Sequence, residues 1–329
     1  MSGLPEQLWL QAKEIDGMDD FQALALKIFR YQSQNVPVYR EFLQLCGFQG
    51  EPNDLSDIPF MPVEFFKSHK VHDAFNNPEL VFTSSGTTGM AQSSHYISDP
   101  GMYHDSFRTA FVSFYGEPDQ FCILALLPGY LERNGSSLVY MMEHLIRESW
   151  HPYSGFYLDQ YVLLAQRLLE LNQQGIRTVL VGVSFALLDF FEQFPMDIPG
   201  VLIMETGGMK GRRKEIVREE LHQRIIDHSG VTEVHSEYGM TELLSQAYSQ
   251  SKGIFKTPPW LRIFIRELHS PFGPFVEDVS GLVNVVDLAN IHSCSFLATK
   301  DLGRKHSDGS FEVLGRMDES DIRGCNLMV

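Results

Sequence analysis

Through the middle of the chain, short apolar runs alternate with amphipathic stretches, and this alternation constrains the fold more than any other feature. Phe121-Cys122-Ile123-Leu124-Ala125-Leu126-Leu127 is unbroken and ends at Pro128-Gly129. Thr178-Val179-Leu180-Val181-Gly182 and Val201-Leu202-Ile203-Met204 are two more such runs. A continuous apolar strand suits a sheet buried on both faces, whereas a half-exposed strand would alternate. Residues 160 to 174 form an amphipathic helix that Gly175 ends, and residues 214 to 227 form another. Strand followed by helix followed by strand implies a mostly parallel sheet with helix crossovers. Residues 1 to 49 also read as helical, because Phe21, Leu24, Ile28 and Tyr31 recur three or four apart. Pro52, Asp54, Pro59 and Pro62 mark a loop-rich connection, and residues 101 to 115 are helical after Asp99-Pro100. Beyond Ser251, short strand-like runs at 263–265, 281–287 and 310–314 are separated by Gly, Pro and Asp, which predicts a smaller β-rich sublobe from about 252. A chain of 329 residues fits one large α/β unit with sublobes or two domains.

One segment between these elements carries chemistry. Val81-Phe82 closes a strand-like run, and Thr83-Ser84-Ser85-Gly86-Thr87-Thr88-Gly89 follows. Glycines let a backbone approach a ligand closely, and hydroxyls with free N–H groups can converge on one anion. No Gly-Lys-Ser/Thr follows, so this is not a Walker A loop. A polar turn between two strands is the simpler alternative. Gly182-Val183-Ser184-Phe185-Ala186 lacks the second glycine of a nucleophile elbow and reads as an ordinary strand-to-helix turn.

Composition closes off other functions. The formal net charge of −16 excludes a phosphate-backbone binder and an anionic membrane surface, and it requires any anion site to be assembled locally. The start, Met1-Ser2-Gly3-Leu4-Pro5-Glu6-Gln7, has no signal-peptide pattern, and no apolar run is long enough to span a bilayer. Cys46, Cys122, Cys294 and Cys325 show no paired spacing, which suits free thiols in a reducing cytoplasm. His69, His72, His292 and His306 have no metal-ligand spacing and read as surface or core residues.

Four motifs in order resemble the adenylate-forming enzymes. They are the segment Thr83 to Gly89, Tyr238-Gly239-Met240-Thr241-Glu242, Thr299-Lys300-Asp301-Leu302-Gly303 with Lys300 where Gly is usual, and Gly315-Arg316-Met317-Asp318. Asn35-Val36-Pro37-Val38-Tyr39-Arg40 and Ile58-Pro59-Phe60-Met61-Pro62 look like phenylacetate-CoA ligase relatives. The end, Ile322-Arg323-Gly324-Cys325-Asn326-Leu327-Met328-Val329, is similar to the acyl-protein synthetases of bacterial luminescence operons, the LuxE family.

The resemblance implies an α/β fold of the adenylate-forming N-terminal domain type over residues 1–315, with residues 316–329 a hinge remnant and an arm carrying Cys325. The sequence ends at Val329, so the family's C-terminal domain and its lysine are expected to be absent. Lys210, Lys256 and Lys305 are substitutes among which the sequence does not choose. The resemblance also implies ATP and Mg²⁺ as cofactors. Thr83, Ser84, Ser85, Gly86, Thr87, Thr88 and Gly89 would hold the β- and γ-phosphates. Gly207, Gly208, Tyr238 and Gly239 would surround adenine, and Asp301 and Arg316 would take the ribose hydroxyls. Thr241 would bond the α-phosphate, and Glu242 would bind the metal. Cys325 would accept the acyl group of a carboxylic, fatty acid and pass it to a protein such as an acyl reductase.

Local alternatives stand beside these roles. Glu242 could face a helix dipole, Asp301 could be a turn residue, Arg316 a surface ion pair and Cys325 a small apolar residue. A coenzyme A or carrier-protein ligase of the same fold, and a nucleotide-binding module without catalysis, remain as rival functions. Leu126, Leu127, Tyr130, Tyr140, Met141 and Met142 are candidates for an acyl pocket or for core.

Overall fold

The computed structural model describes residues 3–84, 92–128, 135–207, 216–270 and 272–317. The chain opens with helices α1 (Leu4–Lys13), α2 (Met18–Asn35) and α3 (Pro37–Leu45), then β1 (Met61–Pro62) and the short α4 (Phe65–Ser68). A hairpin of β2 (Leu80–Thr83) and β3 (Ser94–Ile97) follows, and α5 (Pro100–Tyr115) leads to β4 (Cys122–Leu126). The middle runs α6 (Ser137–Ser149), β5 (Gly155–Phe156), α7 (Tyr161–Gln173), β6 (Thr178–Val183), α8 (Ser184–Gln193), β7 (Val201–Thr206), α9 (Arg218–Ser229) and β8 (Val234–Tyr238). The last third is all strand: β9 (Ala247–Ser249), β10 (Ile254–Lys256), β11 (Leu261–Arg266), β12 (Phe275–Val276), β13 (Ser280–Asp287), β14 (Phe296–Lys305) and β15 (Phe311–Arg316).

Two compact units share the chain. The first comprises Met1–Tyr103, Thr241–Ser245 and Lys256–Val329, and the second His104–Met240 and Gln246–Phe255.

The second unit is the α/β layer that the alternating pattern requires. Its strands lie in the order β9-β8-β7-β6-β4-β5, all parallel except β9 against β8. Every residue of β4 and β6 is buried, which is why these strands are apolar throughout. Seven of the ten residues of α8 are buried, so this helix is also apolar nearly all round. The turn into α8 is the ordinary one expected: Ser184 lies buried, with its hydroxyl 2.8 Å from Glu205 Oε2 and 2.6 Å from the Gly207 carbonyl oxygen. The helix after β7 begins at Arg218, four residues later than the periodicity of 214–227 suggests, and residues 208–215 lie outside the described set.

The first unit packs its N-terminal helices on an antiparallel sheet of order β12-β11-β13-β14-β15, with β1 added in parallel to β14. Trp9 of α1 meets Trp260 edge-on at 5.3 Å, and Phe29 of α2 meets Phe296 of β14 at 6.0 Å. Aromatic rings in these perpendicular arrangements add to the area they bury. The β-rich stretch beyond residue 252 thus shares a core with α1 and α2. Among the described residues no helix is long and apolar enough to cross a membrane.

Candidate active site

In the first unit, the β2–β3 hairpin leads into the Ser/Thr/Gly segment that begins at Thr83. Thr83 pairs with Ser94 in the ladder. One step further, the Ser84 amide donates to the Ser93 carbonyl at 3.0 Å and the Ser93 amide donates to Ser84 Oγ at 2.9 Å. Ser84 and Ser93 therefore close the neck of the segment between them. Ser85, Gly86, Thr87, Thr88 and Gly89 lie outside the described residues, as do Gly208 and Cys325.

Thr241 and Glu242 form a turn in the same unit, and buried side chains pin it from below. His95 of β3 holds its Nδ1 2.8 Å from the Thr241 carbonyl oxygen and its Nε2 3.1 Å from Asn290 Oδ1. Asn290 Nδ2 donates to the Glu242 carbonyl at 2.8 Å and to the Cys294 carbonyl at 3.0 Å. Gln32 of α2 fixes Asn290 in turn, donating to its carbonyl at 2.9 Å. Asp287 completes the support: it accepts from the Leu244 and Ser245 amides at 2.8 and 3.1 Å and from Ser245 Oγ at 2.6 Å. A chain turning this tightly has free backbone groups, and these side chains satisfy them.

The Glu242 side chain is buried at 8 % exposure. Burial pushes its carboxyl up; a hydrogen bond with the Ser93 side chain and the charges of Arg316 and Lys67 act the other way. Ser93 thereby touches both the loop neck and Glu242, so Ser84, Ser93, Glu242, Thr241, His95 and Asn290 form one connected group. Burial also pushes His95 down to about 4, and its bonds to Thr241 and Asn290 oppose that without overcoming it.

Asp301 and Arg316 face each other as register partners on β14 and β15. Arg316 Nε stands 3.8 Å from Asp301 Oδ1, and the arginine side chain is 67 % exposed. An ion pair this open is worth less than about 1 kcal/mol, so stability does not account for its geometry. Thr299 Oγ1 accepts from the Asp301 amide at 3.0 Å and donates to the Val283 carbonyl at 2.8 Å, which sets the bend at Asp301. Lys300 turns away and pairs with Glu64 at 2.9 Å.

In the second unit, β7 and β8 end side by side, with Thr206 opposite Glu237. Gly207 follows at φ 66°, a left-handed conformation that glycine adopts without strain. Gly239 has a different constraint: a Cβ there would collide with the Glu237 carboxylate. Tyr238 between them is buried to 9 % exposure and packs edge-on against Phe255 at 6.0 Å. Glu205 is buried beside Arg218, whose Nε donates to it at 3.1 Å. Burial raises its pKa, but the His222 hydrogen bond and the Arg218 and His222 charges outweigh this and leave the carboxyl below its ordinary value.

Glu237 is different. Its carboxylate accepts a hydrogen bond from Thr206 Oγ1, yet burial, reinforced by the Glu205 charge, pushes it up to about 7. This carboxyl and Thr206 line a cavity of about 10 Å³, room for one water, whose other walls include Phe111, Leu138, Met141, Met142 and Met204. Met141 and Met142 line this cavity and are buried, as core residues would be. Leu126 and Leu127 are core, and Tyr130 lies outside the described residues. Of the described phenylalanines, Phe111 alone lines the cavity, and many of the others fill the two cores.

The histidines expected to be structural have local partners: His72 Nε2 lies 2.6 Å from Ser98 Oγ, and His292 Nδ1 lies 2.5 Å from Asp73. Among the described residues no group of three His, Cys, Asp or Glu side chains could hold a metal by itself. The side chains that sequence reading missed are Ser93, His95, Asn290, Asp287 and Glu237.

Comparison with known proteins follows the same line. No protein-family model matches the chain. It is 23 % identical to the long-chain-fatty-acid–luciferin-component ligase of Vibrio harveyi over 349 aligned residues, covering 99 % of this chain and 90 % of that protein. ATP-bound MatB from Rhodopseudomonas palustris superposes with a TM-score of 0.53 at 17 % identity over 75 % of this chain. The chain spans about half the length of MatB, 49 % of it. A 2-hydroxyisobutyryl-CoA ligase in its postadenylation state superposes with a TM-score of 0.66 at 13 % identity, over 92 % of this chain and 68 % of the other. The fold is that of the adenylate-forming ligases, and along almost its whole length the chain is similar to a LuxE-type ligase.

Proposed function

We propose that this chain is an acyl-protein synthetase, an ATP-dependent ligase that activates a fatty acid and loads it onto its own Cys325. The observation that carries the reading is the connected group Ser84–Ser93–Glu242–Thr241–His95–Asn290. It ties the neck of a Ser/Thr/Gly segment to a Thr-Glu turn from a distant part of the sequence, which is what a nucleotide-phosphate site needs.

The chemistry proceeds in two balanced steps. A carboxylate oxygen of the acid attacks the α-phosphorus of ATP, an O–P bond forms, and the bond to the leaving pyrophosphate breaks. The Cys325 thiolate then attacks the acyl carbon; a C–S bond forms, the C–O bond to the phosphate breaks, and AMP leaves. Donors from Thr83 through Gly89, and the Thr241 hydroxyl, would hold the phosphates against their repulsion from the acid. Gly207, Gly208, Tyr238 and Gly239 would enclose the adenine, and Asp301 with Arg316 would take the ribose hydroxyls. One buried carboxylate without an all-protein cage suits Mg²⁺, which is held through one or two carboxylates plus substrate phosphates. Glu242 would hold it, and when bound it neutralises charge on the phosphate oxygens.

The acid's chain is proposed to enter the second unit between α6 and the sheet. The cavity there is small, but three of its wall residues are methionines, whose unbranched side chains repack readily. A cytoplasmic location fits the unpaired Cys46, Cys122 and Cys294. A protein such as an acyl reductase would then receive the acyl group.

The test is ATP–pyrophosphate exchange dependent on added acid, screened over acids of graded length, followed by mass spectrometry of the acylated protein. Exchange with label on Cys325, released by neutral hydroxylamine, supports the reading. Acyl transfer straight to coenzyme A or a carrier protein without a Cys325 adduct points to the alternative ligase. Absence of exchange with every acid refutes catalysis.

A further inference from the structure

The cavity between α6 and the sheet is not uniformly apolar. Eight of its walls are hydrocarbon or thioether side chains, Ile123, Leu145 and Val181 among them. Tyr248 adds an aromatic ring, set edge-on to Tyr115 at 5.4 Å. Thr206 and Glu237 are the exceptions, and they stand together. They are register partners on β7 and β8, with the threonine hydroxyl bonded to the carboxyl. A pocket for a plain alkyl chain needs neither group. A buried donor or acceptor with no partner costs its full desolvation.

The surrounding chain accommodates this pair. Both residues are buried, and Gly239, two positions after Glu237, lacks the Cβ that would collide with Glu237 Oε1. Burial and the Glu205 charge keep the Glu237 carboxyl neutral up to about 7. Thr206 donates to Oε2, which leaves Oε1 to carry the proton as a donor, while Thr206 Oγ1 keeps lone pairs to accept. A donor beside an acceptor is the complement of a hydroxyl, which gives one hydrogen bond and takes another. A ketone only accepts, an ammonium only donates, and a second carboxylate would lose its hydration in an apolar space. Thr206 and Glu237 each stand one residue before Gly207 and Tyr238, the proposed adenine neighbours, and one strand residue advances about 3.3 Å. A group bound here therefore belongs near the carboxyl end of the acid.

We propose that Glu237 and Thr206 form a hydroxyl-binding subsite of the acyl cavity, and that the preferred acid is a fatty acid hydroxylated near its carboxyl end. The proposal rests on the reading of this cavity as the acyl pocket of a ligase. Room for one water is room for one hydroxyl, which takes over that water's hydrogen bonds. A plain chain in the same place leaves the Glu237 proton and the Thr206 oxygen unsatisfied, and a site built around a substrate hydroxyl rejects an analogue without one.

The experiment compares dodecanoic acid with its monohydroxy derivatives, the hydroxyl moved from the carbon next to the carboxyl out to the chain end. Affinity is read by calorimetry and kcat/KM by ATP–pyrophosphate exchange, both on the full chain. The parent should favour a derivative hydroxylated within the first few carbons over dodecanoic acid by about tenfold or more, the effect of one or two neutral hydrogen bonds. Glu237→Leu should abolish that preference, and Glu237→Gln, whose amide both donates and accepts, should keep most of it. Thr206→Val, a change of nearly equal volume, should lower the ratio too and serves as the test if the leucine variant does not fold. A purely structural Glu237 would weaken all acids alike and leave the ratio unchanged. Preference for dodecanoic acid or for the chain-end derivative overturns the proposal, as does a ratio unchanged in the leucine and valine variants; the cavity then holds a water only. Binding of no acid overturns it as well. If the hydroxylated acid binds through Glu237 but no acid supports exchange, the subsite stands and the ligase reading falls.

Discussion

Replacing Asn290 with Ala tests whether the Thr241–Glu242 turn is held from below, because Asn290 is its central strut. The side chain makes three hydrogen bonds: to the Glu242 carbonyl at 2.8 Å, to the Cys294 carbonyl at 3.0 Å and to His95 Nε2 at 3.1 Å. Asn290 itself is buried at 1 % exposure, and His95 at 1 %. No water replaces the lost partners unless the structure opens. At about 1 kcal/mol for each net hydrogen bond, the change should destabilise the protein by about 3 kcal/mol. Urea unfolding is the assay, with an unchanged slope showing that the denatured state is not altered. Exchange activity should fall as well, by at least about tenfold, when measured where the variant is fully folded, because the Glu242 backbone loses its anchor. A loss below about 1 kcal/mol, with exchange unchanged, would show that the turn does not depend on this network and would remove the structural basis for grouping His95 and Asn290 with the site.

Other outcomes follow from the same geometry. Glu242→Gln keeps the shape but removes the charge, and exchange should drop by about a hundredfold; a rate within a fewfold of the parent would make the carboxylate structural. Glu237 titrates near 7 in the fold and near its ordinary value when unfolded, so the native state holds the extra proton between those values. Stability from this group is therefore present at low pH and lost as pH rises from about 4.5 toward 7, by about 3 kcal/mol, and Glu237→Gln should flatten that part of the stability profile. Cys325→Ser should still release pyrophosphate but accumulate no hydroxylamine-sensitive acyl-protein; a label found on Cys46, Cys122 or Cys294 would refute the acceptor role.

Legibility followed chemistry and distance. Strands β4, β6 and β7 could be read directly, because burial on both faces demands an unbroken apolar run. Strand β8, Val-His-Ser-Glu-Tyr, could not: three of its five residues are polar or charged, and Ser236 and Glu237 are buried by partners that no local pattern announces. Strand β14 was missed for a related reason, since Thr299, Lys300 and Asp301 interrupt it with the residues of a motif. Helix α6 hid behind Gly135-Ser136-Ser137, which looks like a loop; Ser136 is in fact its cap, accepting from the Val139 amide at 3.3 Å. The motif residues were readable because their chemistry is contiguous. His95 and Asn290 were not, because His95 is 146 positions from Thr241 and 195 from Asn290.

The paired bonds between Ser84 and Ser93 bear on the entropy of the segment they enclose. Bringing the ends of an eight-residue stretch together lowers its conformational entropy by the equivalent of about 2 kcal/mol, and folding of the hairpin has already met this. The same relation makes length a weak determinant of stability: doubling the loop adds only about 0.6 kcal/mol of closure free energy. Extra glycines inserted between Ser84 and Ser93 would therefore leave the melting behaviour of the protein almost untouched.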